Sequence, residues 1–148
     1  VLKAAAAGAV AAVVSGVPST VHALLTGRDV LAATRAAGTL LPGRQRRPGV
    51  AAGLLAHVLV SAAWTGVLAA AARRHRLGLR SGAAAGLVIA VLDLGIAARA
   101  YPAVRDLPRG PQILDHLVFG AVTGALLDRP QRTDQGTTST TSPGFSEV

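Results

Sequence analysis

An all-helical membrane bundle is the fold this sequence predicts, and three observations predict it. Long stretches carry no charge, the Arg residues gather between those stretches, and small residues recur every four positions inside them. Of the 148 residues 51% are hydrophobic, yet only 3% are aromatic and none is Met. A soluble core of this size draws on Phe, Tyr, Trp and Met. Here Ala, Val, Leu and Gly carry the apolar mass, which suits helices that approach closely in lipid.

The expected architecture is a four-helix transmembrane bundle over residues 1–128, followed by a disordered tail at 129–148. Spanning takes roughly 17–25 mainly apolar residues. Residues 4–25 and 51–72 each give 22 positions without Asp, Glu, Lys or Arg. Residues 81–98 form a third span containing one acid, Asp93. Residues 111–127 form the fourth, opened by Pro111 and carrying Asp115 and His116 in its first turns. Lys3, an apolar run and Val21-His22-Ala23 also resemble a cleavable signal segment, but the run is long for one and the third span is similar to it.

In the first loop, residues 29–41 predict a short amphipathic helix lying in the membrane interface. Pro18, flanked by Ser15, Ser19 and Thr20, predicts a kink whose freed carbonyl a hydroxyl can satisfy. Trp64 lies too deep for an interfacial belt and reads as packing, whereas Tyr101 suits the interface. The tail is rich in Thr, Ser, Gly and Pro and has no apolar period.

The net charge of +8 does not point to nucleic acid, because the Arg residues occupy inter-helix segments instead of one face or groove. The absence of Cys excludes disulfides and thiolate metal sites, so neither metal nor cofactor is expected. Basic residues divide almost equally between the two membrane faces. The density of Arg73 to Arg80 alone favours placing both termini inside. Fourteen Arg against a single Lys, with abundant Ala and Gly, is the composition of a GC-rich bacterial genome.

Small residues four apart lie on one helix face. Ala4, Gly8, Ala12 and Gly16 form such a face, as do Gly82, Gly86 and Ala90, and His116, Gly120 and Gly124. They predict tight helix crossings, either within a compact bundle or in a homo-oligomer through the glycine faces. Matches between spans one and three (Gly8 and Ser15 with Gly86 and Asp93) and between spans two and four (His57 with His116) suggest two tandem helical hairpins.

In a four-span chain the ends of spans one and three lie on the same side as the starts of spans two and four. His22, His57, Asp93, Asp115 and His116 therefore share one half of the membrane. An intramembrane acid is costly and needs a partner. Asp93, exchanging protons with His57 or His116, is the expected centre of a polar cavity, with Ser15, Pro18 and Ser19 at the kink as its lining. The competing reading makes Asp93 and a histidine interhelical glue, with His116 and Asp115 reaching the headgroups. No nucleophile elbow, HExxH or phosphate loop is present, which argues against an enzyme and leaves lipid modification third.

The strings SGVPSTVH at 15–22, His57 with Ser61 and Trp64, and DHLVFGAVTGALL at 115–127 resemble small bacterial polytopic proteins of the YagU-like inner-membrane type. That resemblance implies a multi-pass place in the bacterial cytoplasmic membrane and no activity. The expected function is a small transporter or proton-linked permease. The alternative is a non-catalytic packing or assembly subunit.

Overall fold

The computed structural model describes residues 2–44 and 49–128, so the tail expected to be disordered lies outside the described residues. The described chain is helical and contains no strand. Its helices are α1 (Leu2–Ser15), α2 (Val17–Leu25), α3 (Ala32–Gly38), α4 (Val50–Ala72), α5 (Leu79–Ala100), α6 (Pro102–Arg105) and α7 (Arg109–Asp128).

Three helical stretches are long and apolar enough to cross a membrane, not the four expected: Leu2–Leu25, Val50–Ala72 and Leu79–Ala100. The expected fourth span falls on α7. Its 20 residues give a rod of about 30 Å at 1.5 Å per residue, so length is not the obstacle. Gln112, Asp115 and His116 lower its apolarity instead. The fold resolves this by position. α7 packs against α1, α2, α4 and α5. Between Pro111 and Leu127 only Leu114 is exposed. By contrast α4 and α5 turn Leu54, Leu55, Val58, Leu87, Val91 and Ile96 outward. Of the four long helical stretches, the least apolar one exposes the fewest residues.

Glycines set how closely the helices approach. On α5 and α7, Gly82 and Gly86 face Gly120 and Gly124, and a Cβ at any of these four would collide with the opposing backbone. On α1, Gly8 lies against the Thr65 side chain of α4. These glycines thus pack between helices of one chain, the compact-bundle alternative expected for them. Two hairpins would pair α1 with α4 and α5 with α7; both contacts exist, but α1 packs more extensively on α7 than on α4, and the registers differ. Gly86 meets His116 itself, whereas Gly8 meets Thr65, two turns beyond His57.

The kink in the first span falls at Gly16, between α1 and α2, with Pro18 in the first turn of α2. Hydroxyls serve the carbonyls around it, as Ser15 Oγ donates to Ala12 O at 3.2 Å and Thr20 Oγ1 to Gly16 O at 2.7 Å. The segment closes at Gly27, whose φ of 64° is costly for residues with a Cβ. Arg28 N donates to Ala23 O at 2.8 Å and Gly27 N to Leu24 O at 3.4 Å, which is a Schellman closure.

The short helix expected in the first loop is α3, which packs on α4 and α6. It lies so close that a Cβ at Gly53 would collide with Thr34 O. Asp29 holds its start, pairing with Arg35 and accepting from Leu31 N at 2.9 Å. Tyr101, extended at φ −124° and ψ 99° ahead of Pro102, separates α5 from α6.

Candidate functional site

Asp93 stands about 10 Å from the end of α5, counting seven residues at 1.5 Å each. It is half-buried and meets two other helices. Trp64 Nε1 on α4 donates to Asp93 Oδ2 at 3.0 Å, with Oδ1 at 3.3 Å. His116 Nε2 on α7 lies 3.3 Å from Asp93 Oδ2. The Trp64 ring reaches this level because helical side chains lean toward their own N-terminus, and α4 begins at the face where α5 ends.

The other nitrogen of His116 decides the chemistry. Nδ1 lies 2.7 Å from the carbonyl of Gln112, one turn earlier on α7. A carbonyl only accepts, so Nδ1 carries a hydrogen. The contact between Nε2 and Asp93 then holds one proton. It rests either on the imidazole, giving an imidazolium–carboxylate pair, or on the carboxyl, giving a neutral pair. Either way Asp93 and His116 share it, in the arrangement a proton-exchange site needs.

A cavity of about 120 Å³ opens beside this pair, and Ser15, His57, Ser61, Gln112, Asp115 and Phe119 are among its lining residues. Ser15, His57, Asp93 and His116, all singled out from the sequence, thus come together. Their roles separate, however. His57 does not reach Asp93. It is exposed, and its Nε2 donates to Ala12 O at 3.0 Å, a carbonyl beside the kink. His116, read from the sequence as an interfacial residue ahead of a cavity one, is the partner of Asp93.

Asp115 is bound within the fold. It accepts from Ser19 N at 3.0 Å and from Ser19 Oγ in a short contact, joining α2 to α7. Gln112 Nε2 donates to the same Ser19 Oγ at 2.9 Å. Ser19 therefore ties the kinked segment to α7, while Pro18 shapes the bend without lining the cavity. A second cavity of about 140 Å³ lies on the other side of this network, lined by His22, Arg28 and Asp106, with Ser19 and Gln112 shared between the network and its wall.

Two participants were missed by sequence reasoning. Trp64 read as packing, yet it is a hydrogen-bond donor to Asp93. Its depth was the available signal, since a buried indole N–H needs an acceptor. Gln112, overlooked beside Asp115, fixes the His116 tautomer and steadies Ser19. No three His, Asp or Glu among the described residues are grouped to hold a metal ion.

No family model, curated protein or solved structure matches the chain. The resemblance to YagU-like proteins thus rests on the quoted strings alone.

Proposed function

We propose that this chain is a multi-pass protein of a bacterial cytoplasmic membrane, and that it moves a small solute or ion coupled to protons through the cavity at Asp93. The observation that carries this reading is the 3.3 Å contact of His116 Nε2 with Asp93 Oδ2 at the edge of a cavity lined by polar groups. A group that binds and releases one proton beside a solute-sized space is the minimum a proton-linked permease needs. In this reading α7 lies at membrane depth with the three apolar helices, its polar face turned to protein.

The second reading, an assembly subunit, draws on a different fact. Trp64, Asp93 and His116 connect α4, α5 and α7, as interhelical glue would. Flux separates the two. In proteoliposomes enclosing a pH-sensitive dye, the wild-type chain dissipates an imposed pH gradient when solute is supplied, and Asp93→Asn abolishes this. A wild-type chain that carries no protons under any solute gradient, yet co-purifies with a stoichiometric partner, is the assembly subunit.

A further inference from the structure

The cavity beside Asp93 is small and one-sided in charge. Its volume of about 120 Å³ is several times the space one water needs, so it admits a small solute. No Lys or Arg is among the described residues that line it. The titratable groups facing it are Asp93 from α5, Asp115 and His116 from α7, and His57 from α4. From α1 it receives Ser15, which does not titrate.

Two of these groups are already engaged. Asp115 is held by the Ser19 amide and hydroxyl, and His57 is committed to Ala12 O. What remains variable is the Asp93–His116 pair. With its proton the pair is neutral overall. Without it, a carboxylate stands half-buried at the cavity wall with only Trp64 Nε1 donating to it and no opposite charge beside it. The proton therefore leaves when another positive charge arrives. An anion would add a second negative charge beside Asp115, and a protonated His116 is already paired with Asp93.

The surroundings also select the kind of cation. Trp64 and Phe119 contribute aromatic rings to the wall, and ring faces attract cations. The absence of a three-residue metal group among the described residues sets the site apart from one built to strip a metal ion of its water. We infer that the cavity binds a small monovalent organic cation, of the guanidinium or alkylammonium class, in competition with the proton shared by Asp93 and His116. This inference rests on the transporter reading of the same cavity. The balance is one for one: the cation enters, Asp93 becomes its counter-ion, and one proton passes to water.

The test uses the full chain purified in detergent, in weakly buffered solution with a pH indicator, titrated with millimolar guanidinium chloride against sodium chloride at equal concentration. The expected result is release of about one proton per chain at saturation with guanidinium and none with sodium. Apparent affinity should rise about tenfold per pH unit while the pair is protonated, then level off. Asp93→Asn should abolish the release, and Trp64→Leu should weaken binding. The wild-type pH dependence stands by itself should either variant fail to fold. Absence of release, equal release with sodium, or release unchanged in a folded Asp93→Asn overturns the inference. Proton release in detergent without flux in vesicles removes the transporter reading and leaves the cation site standing. Proton flux in vesicles without guanidinium-driven release removes the cation site alone.

Discussion

Asp93 draws its partners from two helices that lie far from it in sequence, and each partner constrains it differently. Trp64 donates to both carboxylate oxygens, so it orients the group without adding or removing a proton. Trp64→Phe keeps the ring and deletes the N–H. A hydrogen bond to a charged group contributes about 1.5–3 kcal/mol, so this variant should be destabilised by an amount in that range, read from denaturation in detergent. Thr123 shows the opposite case. Its hydroxyl is fully buried and has no hydrogen-bond partner among the described residues. Thr123→Val keeps the shape and removes the unsatisfied oxygen, so it should stabilise the protein by about 1 kcal/mol in the same assay. Asp93 was legible in the sequence because an acid inside an apolar run has no inexpensive explanation. Trp64 was not, because its acceptor lies 29 residues away on another helix and nothing local announces it.

The helices themselves were legible where length and apolarity agree, as in α4 and α5. The α3 segment was found from its amphipathic pattern. The fourth span was expected from the length and apolar end of residues 111–127, but Gln112, Asp115 and His116 leave α7 less apolar than the other three, and it sets them against partners on its neighbours. The kink was expected at Pro18, and the break falls at Gly16 because proline frees a carbonyl in the preceding turn. The crossing of α5 and α7 depends on its glycines, so substitutions there are not equivalent to others on the same helices. Gly120→Leu would drive a side chain into the backbone of Gly82 and Gly86, with an expected cost above about 3 kcal/mol and loss of the Asp93–His116 contact. Gly95→Leu, where a Cβ meets nothing within 4 Å, should fold normally. Thermal melting and monodispersity in detergent compare the two.

At the scale of the molecule, α7 runs antiparallel to the N-terminal segment along most of its length. Lys3 Nζ donates to Leu127 O at 3.2 Å at one end, and Ser19 meets Asp115 toward the other. The two ends of the described chain therefore share a face, opposite the one bearing the first loop. The chain has no Cys, which makes this directly testable by single-cysteine labelling in oriented vesicles. Leu2→Cys and Asp128→Cys should react with a membrane-impermeant thiol reagent from one side, and Arg28→Cys and Arg109→Cys from the other. Labelling of positions 109 and 128 from the same side would show that α7 does not cross with the others.

The account depends on Asp93 being kept for its proton and not for its grip on neighbouring helices. The melting temperature of detergent-purified Asp93→Asn against wild type across pH 5 to 8 tests this most directly. An amide at position 93 still accepts from Trp64 and fits the same space, so it keeps the tie between α4 and α5 while removing the exchangeable proton. The account predicts that Asp93→Asn melts as high as wild type or higher. A variant that melts well below wild type or aggregates would contradict it, and would make Asp93 the structural tie between α4, α5 and α7.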